Sequence, residues 1–292
     1  MSTLWFQRIL VPLDGSTAAK EAIPVAERIA HAYGGKIELL EVSNIPSNPT
    51  GPQDVFAINL KRESEEEEAD REISALQRDS ISVEREERSP GTTEEDILET
   101  AEKTSADLIV LCSQKYTEHP EDTLLNDVAQ QIEQDSPQPV LLLHGDNPTP
   151  KQPLRALVTL DPNDRSSLVD TFLVPAIQLV AALNLSAQGT LHLFGVVSKG
   201  QALDEARIRL KGLADDLNSR AKVLPTLQIT SEVVTSGDVA EAITDRSKEF
   251  NLIAMATHGR GGLQHIFHHS VTKHVLGKTQ LPIFIVHHPS ET

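Results

Sequence analysis

A glycine-rich loop near the end of the chain carries the residues best suited to binding an anion. The sequence there indicates a buried strand ending near Ala256, a loop of three glycines and Arg260, and a helix that includes Ser270. The unpaired N–H groups and the dipole of a helix N-terminus both favour a bound phosphate. The alternative is that the glycines only allow the chain to turn sharply. Whether the loop binds a phosphate or only turns the chain depends on the strands and helices that position it.

Charge and composition narrow the possible functions. The chain has 292 residues, with 43 acidic against 26 basic side chains and a net charge of −17. A nucleic-acid-binding protein usually carries a basic patch, and no long basic cluster is present, so nucleic-acid binding is disfavoured. The single cysteine, Cys112, rules out an internal disulfide framework and fits a reducing compartment. We interpret Cys112 as a small core residue.

Neither a signal peptide nor a membrane span is predicted. The N-terminus lacks a basic segment followed by a long apolar one. The longest apolar stretch, residues 172–185, contains Pro175 and is shorter than the ~20 residues that a membrane helix needs. We therefore expect a soluble cytoplasmic protein with no membrane partner.

The first half alternates between strands and helices. The pattern predicts strands at 8–14, 36–42, 81–87, 107–112 and 139–144, and helices at 16–33, 55–79, 92–103 and 121–134. Ser16 is the expected N-cap of the first helix, and Gly34 with Gly35 should end it. The apolar strand at 107–112 is of the kind that is buried on both faces of a parallel sheet.

The second half repeats this pattern, with strands at 155–161, 190–197, 227–235, 251–256 and 282–287 and helices at 166–183, 202–222 and 239–250. The run R-x-L-V-x-L-D begins at Arg8 and again at Arg155, and Gly91 and Gly237 each precede a helix. A nearly constant offset over a whole domain indicates a duplication. The predicted domains are residues 1–147 and 154–292, joined by a proline-rich linker at 148–153.

Strands that alternate with helices predict right-handed crossovers. The expected fold class is α/β, with two tandem copies of a five-stranded parallel sheet carrying helices on both faces, as in Rossmann-like folds. Ligands of such sheets bind outside the carboxyl ends of the strands. Asp14 and Asp161 follow the first strand of each repeat, and Val42 and Val196 end the second strand. The glycine loop after Ala256 is predicted to lie at this same edge.

Several short segments of the two halves form a recognisable set: Leu13-Asp14-Gly15-Ser16, Leu160-Asp161, Gly91, Gly237-Asp238, the strand at 107–112, the loop at 257–263, Ser270-Val271 and the strand at 281–286. With these segments the chain resembles a tandem universal stress protein of the adenine-nucleotide α-hydrolase-like fold. The resemblance covers nearly the whole chain as two copies.

The nucleotide motif of that family is Gly, two residues, Gly, nine residues, Gly, then Ser or Thr. In the second half these positions are Ala256, Gly259, His269 and Ser270, so two glycines are replaced. The imidazole of His269 adds bulk where a glycine lets backbone N–H groups approach the phosphates; if protonated, it could itself face an anion. The resemblance implies ATP binding in this domain only, with Asp161 on the adenosine side and Gly259, Arg260, Ser270 and Val271 around the ribose and phosphates. Val196, Ala256 and His269 complete the set of candidate binding residues.

The first half has lost the loop. Residues 113–122 contain no glycine and three acidic side chains, which would repel a polyphosphate. The first domain is therefore not expected to bind ATP, although it keeps Asp14.

Two further motifs in the second half resemble a metal site and a P-loop. His265 and His269 are four residues apart, a spacing that could hold a metal on a helix, but no cysteine or paired glutamate accompanies them. No metal site is predicted. Gly277-Lys278-Thr279 resembles the end of a P-loop, but the earlier glycine is Thr272 and the segment ends a helix, so we interpret Gly277 as a helix C-cap.

Three functions remain open. The leading prediction is a non-enzymatic stress-response sensor or adaptor with an unidentified protein partner and a nucleotide in its second domain. The second is a slow ATPase or autophosphorylating enzyme that would use Arg260 and Lys273. The third is an interaction module without a nucleotide. The last strands of the two repeats are expected to pair, giving an internal pseudo-dimer, and a further homodimer is possible.

Overall fold

The computed structural model describes residues 6–14, 16–42, 82–87, 93–113, 132, 136–145, 149–162, 172–185, 188–220, 227–258 and 269–288. The chain divides into two compact units, Met1–Ile132 and Glu133–Thr292. The helix predicted at 55–79, and all but Ile132 of the one predicted at 121–134, lie outside the described residues. The division by contacts places the last strand of the first repeat in the second unit. The repeat boundary at 148–153 stays a prediction about the duplication.

The first unit contains four described strands. These are β1 (Arg8–Leu13), β2 (Lys36–Glu41), β3 (Ser82–Glu87) and β4 (Leu108–Ser113), which lie in the order β3-β2-β1-β4. The pairs β1–β2, β2–β3 and β1–β4 are all parallel. Residues 108–112 are fully buried, as predicted for a strand covered on both faces. Fully burying such side chains stabilises the fold by about 1.5–3 kcal/mol each.

The described helices of the first unit are α1 (Thr17–Lys20), α2 (Ala22–Tyr33) and α3 (Thr93–Lys103). A single helix was predicted up to Tyr33, and the break at Glu21 is a correction. Its cause is Pro24, which has no N–H to donate to the carbonyl of Lys20. The predicted N-cap is confirmed, since Oγ of Ser16 accepts a hydrogen bond from the N–H of Ala19.

Two glycines end α2, as predicted. Gly34 has a φ of 67°, the left-handed conformation that glycine adopts without strain. At Gly35, an added Cβ would lie only 2.4 Å from the carbonyl oxygen of Phe6. The first glycine therefore provides the turn, and the second allows β1 and β2 to start side by side.

The second unit contains the remaining strands and four described helices. The strands are β5 (Val140–His144), β6 (Arg155–Leu160), β7 (Gly189–Val197), β8 (Leu227–Thr235), β9 (Leu252–His258) and β10 (Ile283–His288). The helices are α4 (Val174–Leu183), α5 (Leu203–Arg220), α6 (Val239–Ser247) and α7 (His269–Leu276). The strand order is β5-β10-β9-β6-β7-β8.

Four of the pairs in this sheet are parallel, whereas β5 runs antiparallel to β10. In that pair Phe284 faces Leu141, and both side chains are fully buried. The predicted pairing of the last strands of the two repeats is therefore present. The fold class is confirmed as a mostly parallel α/β fold, with this one antiparallel pair as an addition.

One helix end differs from the prediction, and the start of another lies outside the described residues. The helix expected at 166–183 is described from Val174, with Pro175 in its first turn, where the missing N–H is tolerated; residues 163–171 lie outside the described residues. The helix expected to reach Phe250 ends at Ser247, because the N–H of Phe250 closes a turn onto the Ser247 carbonyl at 2.9 Å. That turn leads directly into β9.

The duplication is visible in matching hydrogen bonds. In the first unit, the N–H groups of Gln7 and Arg8 donate to the two carboxylate oxygens of Asp107, at 2.7 and 3.1 Å. In the second unit, the N–H of Arg155 donates to Oδ1 of Asn251 at 2.7 Å. The N–H groups of Asp107 and Asn251 return the bond to the carbonyls of Arg8 and Arg155, both at 2.9 Å. Each side chain thus joins the start of its strand to the neighbouring strand.

Candidate functional site

The candidate site lies at the carboxyl ends of the parallel strands in the second unit. In the strand register Leu160 faces Gly195, and Thr159 faces Met255. Asp161, Val196 and Ala256 each come one residue further along their chains, so all three reach the same edge. The predicted clustering of these positions is therefore consistent with the register. Each of the three is half-buried.

The corner after β6 is held by two neighbouring elements. The Nε group of Arg209, on α5, donates a hydrogen bond to the carbonyl oxygen of Pro162 at 2.9 Å. The Pro162 ring packs against Gly195 of β7, where an added Cβ would lie 3.2–3.3 Å from three ring atoms. Asp161 is thus followed by a residue that is fixed from both a helix and a strand.

The second component is the N-terminus of α7, which begins at His269. Ser270 and Val271 fall in its first turn, where backbone N–H groups have no partner within the helix. Val271 is half-buried. Gly259 and Arg260, and the side chains of His269 and Ser270, lie outside the described residues. Their predicted contacts with a ligand stay predictions.

Gly277 ends this helix, which confirms the C-cap interpretation over a P-loop. Its N–H donates to the carbonyl of Lys273 at 3.0 Å, and the N–H of Thr279 donates to the carbonyl of Val275 at 3.0 Å. The Gly277-Lys278-Thr279 segment therefore follows a helix, whereas a phosphate-binding P-loop precedes one.

The matching edge of the first unit has a different charge environment. The N–H of Ser16 donates to Oδ1 of Asp14 at 3.0 Å. Cys112 is fully buried at the position equivalent to Ala256. Burial raises the pKa of the Cys112 thiol to about 12, and the charges of Glu21 and Asp14 add to that shift. Two carboxylates therefore act on the end of β4, and the thiol is a core group, as the sequence predicted.

A second polar cluster, not recognised from sequence, lies on β7 and β8. Nδ1 of His192 lies 2.7 Å from Oγ1 of Thr230, and its Nε2 lies 3.2 Å from Oε2 of Glu232. The same Glu232 oxygen accepts a hydrogen bond from Nε of Arg246 at 2.8 Å. Because a carboxylate only accepts, Nε2 carries the proton, and Nδ1 accepts from the Thr230 hydroxyl.

Phe250 completes this cluster. Its ring centre lies 5.4 Å from that of His192, and Arg246 lies over the same ring at 5.3 Å. Burial lowers the pKa of His192, and the nearby Arg246 charge also lowers it, whereas Glu232 and Glu249 oppose the shift. The cluster attaches α6 and the turn that follows it to the sheet.

The sequence contained one usable signal for the unrecognised residues. A glycine inside a strand often marks a close approach of another segment, and Gly195 in β7 is such a glycine. Nothing local distinguished Arg209 from the other charged residues of α5. His192 sits in an apolar strand, and its partners come from β8 and α6, so their proximity depends on the tertiary fold.

Within the part of the chain that the structure describes, no three His, Cys, Asp or Glu side chains are grouped to hold a metal ion. His265 lies outside that part. No helix among the described residues is long and apolar enough to cross a membrane.

Comparison with known proteins agrees with this architecture. The sequence matches the universal stress protein family over residues 6–144 and 175–287. The chain therefore belongs to the universal stress protein family, with one match in each repeat. No curated protein matches the sequence.

Solved structures share the fold along the whole chain. A universal stress protein from Archaeoglobus fulgidus is 19% identical, with 97% of this chain and 99% of that chain covered and a TM-score of 0.70. A protein of unknown function from Pseudomonas aeruginosa is 14% identical, with 96% and 92% covered and a TM-score of 0.60. The cytoplasmic domain of a prokaryotic cation chloride cotransporter is 12% identical, with 96% and 95% covered and a TM-score of 0.53. At these identities the likeness establishes the fold alone.

Proposed function

We propose that the protein is a non-enzymatic sensor or adaptor of the stress response whose second unit binds one adenine nucleotide. The observation that carries the proposal is the register of β6, β7 and β9, which brings Asp161, Val196 and Ala256 to one edge. Asp161 would accept a hydrogen bond from the adenosine, and Val196 would contact it. The first turn of α7, with Gly259, Arg260, Ser270 and Val271, would surround the ribose and phosphates.

Charge supports the choice of the second unit. At the first edge Glu21 adds a charge that already acts on Cys112 at the end of β4, beside that of Asp14, which has a counterpart in Asp161. In sequence, the first unit also replaces the glycine loop with residues 113–122, which carry three acidic side chains, whereas residues 257–263 of the second unit carry none. Unscreened like charges a few ångströms apart disfavour binding, and the helix dipole at His269 favours it. The acidic side chains near the first edge therefore favour binding of the nucleotide at the second edge only, which would give one nucleotide per chain.

A titration of nucleotide-stripped protein with ATP tests the proposal. Calorimetry should show one bound molecule per chain, and no phosphate should be released on prolonged incubation. Release of phosphate would favour the slow ATPase or autophosphorylating enzyme, with Arg260 and Lys273 as its basic groups. A titration with no heat, together with an unchanged melting temperature, would contradict nucleotide binding.

That last result would favour the alternative, an interaction module without a nucleotide. The observation on its side is His269, which places an imidazole side chain on the first residue of α7 where the nucleotide motif has glycine. The proposal further includes a cytoplasmic location and a homodimer. Sedimentation equilibrium tests the homodimer, which predicts twice the chain mass of 31.9 kDa.

A further inference from the structure

We propose that Arg209 is a positioning residue for the nucleotide site, an inference that rests on the proposed function of the second unit. Arg209 fixes the corner after β6 so that the Asp161 carboxylate meets the ligand in one orientation. It does so through the Pro162 carbonyl and not by contacting the ligand.

The hydrogen bond joins distant parts of the chain. Nε of Arg209 donates to the carbonyl oxygen of Pro162 at 2.9 Å across a sequence separation of 47 residues. The Nη1 atom lies 3.6 Å from Oε2 of Glu205, one turn earlier on α5. Glu205 therefore restrains the guanidinium from within α5, and the guanidinium in turn restrains the corner after β6. A planar group restrained in this way loses less entropy for each hydrogen bond that it makes.

The corner is also fixed from the opposite side. Gly195 faces Leu160 in the register, and its missing side chain leaves room for the Pro162 ring. Moving away from α5 would break the hydrogen bond from Arg209, and moving toward β7 would press the ring against Gly195. Proline adds its own restriction, because its φ is fixed near −65°. Asp161, directly before this residue, inherits a restricted backbone.

The first unit holds its equivalent aspartate in another way. Asp14 accepts a local hydrogen bond from the N–H of Ser16, two residues later. A local bond of this kind occupies one carboxylate oxygen with the protein's own backbone. In the second unit the restraint comes instead from α5, through the hydrogen bond of Arg209 to the Pro162 carbonyl.

The experiment compares two variants of equal charge in the full chain. Arg209→Gln keeps an N–H donor at the same number of bonds from the backbone as Nε, and Arg209→Met keeps the length without a donor. Affinities for adenosine and for ATP are measured by calorimetry. Amide hydrogen exchange at Asp161 is followed without any ligand.

We expect Arg209→Met to bind both adenosine and ATP ~10-fold more weakly, since the loss of one partly buried hydrogen bond changes an equilibrium by about that factor. Arg209→Gln should stay within ~3-fold of the original protein for both ligands. Exchange at Asp161 should speed up in Arg209→Met only. A change in global stability alone would not weaken the binding of both ligands equally in Arg209→Met while leaving their affinities for Arg209→Gln nearly unchanged.

Two results would overturn the inference, and a third would overturn the proposed function instead. Unchanged affinities in Arg209→Met would show that the bond has no role. Equal loss in both variants for ATP, with adenosine unaffected, would mean that Arg209 acts through its charge on the phosphates. If the original protein binds neither ligand, the proposed function fails instead, and exchange at Asp161 then reports separately whether the restraint on the corner exists.

Discussion

The two units use equivalent positions for the same backbone task but with different chemistry. Asp107 receives two backbone N–H groups, one on each carboxylate oxygen. Asn251 receives one N–H on its oxygen and uses its amide nitrogen to donate to the carbonyls of Lys151 and Pro153, at 2.9 and 3.0 Å. The acid suits a position with donors on both sides, and the amide suits one with a donor and two acceptors. After duplication, each side chain has become specific to its own surroundings.

The same divergence is seen at the carboxyl edges. In the first unit, Asp14 and Glu21 act together on Cys112. In the second, Ala256 replaces the thiol, and the corner after Asp161 is restrained by Arg209. The architecture was duplicated, but the side chains at the two edges differ. We infer that the duplicated fold preserves where a ligand could bind, whereas individual side chains decide which unit binds it.

Asn251→Asp is the substitution with the largest expected effect. A carboxylate at this nearly buried position would face the carbonyl oxygens of Lys151 and Pro153 with no proton to share. We expect a loss of about 3 kcal/mol in the free energy of unfolding, because the two carbonyls would lose their donor and would face a buried negative charge. Urea unfolding monitored by circular dichroism measures it. An unchanged midpoint would show that the two positions are interchangeable.

Asp107→Asn is the reciprocal change and should cost less. The amide nitrogen would face a backbone N–H where a carboxylate oxygen now accepts, so one donor would lose its partner. Burial raises the pKa of Asp107, while the hydrogen bonds from Gln7 and Arg8 and the Arg8 charge lower it. Removing the charge therefore relieves part of the desolvation penalty. We expect a loss of about 1–2 kcal/mol, measured by the same unfolding method.

The reciprocal changes allow a sharper test. If the difference between the units resides in the surrounding donors and acceptors, both substitutions destabilise, and Asn251→Asp does so more. A stabilised Asp107→Asn would contradict this account and would show that desolvation outweighs the two hydrogen bonds.

His269→Gly tests whether the imidazole limits nucleotide binding. The substitution restores the glycine of the nucleotide motif at the first residue of α7. We expect ATP to bind ~10-fold more tightly, because backbone N–H groups could approach the phosphates more closely. Calorimetry at pH 8 provides the measurement. Weaker binding by the variant, most pronounced at pH 6, would instead indicate that a protonated His269 faces the anion.

Acid should weaken the second unit through His192. Its folded pKa is lowered, first by burial and then by Arg246, so the unfolded chain takes up a proton more readily. The stability that His192 contributes is therefore complete above its unfolded pKa of about 6.5 and is lost as the pH falls below that value. Unfolding midpoints between pH 8 and pH 5 follow this loss, which we expect to be the smallest of these effects.

His192→Gln provides the matched control, because the amide can donate to Glu232 and accept from Thr230 without titrating. The pH dependence should be shallower in this variant. The register places Glu38 of the first unit at the equivalent strand position, opposite Glu84, so no histidine titrates there. An identical pH profile in the variant and the original protein would show that His192 does not account for the acid sensitivity.

Much of the fold could be predicted because its signals are local. Apolar runs located most of the described strands, and Ser16 and Gly34 marked helix ends through their own backbone preferences. The break at Glu21 was missed even though Pro24 provided a local reason for it. Arg209 and His192 could not be recognised, because their partners lie 47 and about 40 residues away in the chain and meet only after folding. At the candidate site, the sequence predicted the strand-end positions but not the residues that restrain them.

The most direct test compares the two aspartates at the strand ends. Asp161→Ala and Asp14→Ala are titrated with ATP by calorimetry, with melting temperatures recorded to confirm that both variants fold. The account predicts that Asp161→Ala lowers the affinity ~10-fold or more, whereas Asp14→Ala leaves both the affinity and the stoichiometry of one nucleotide per chain unchanged. Equal losses in the two variants, or a loss confined to Asp14→Ala, would contradict the claim that the second unit alone binds the nucleotide.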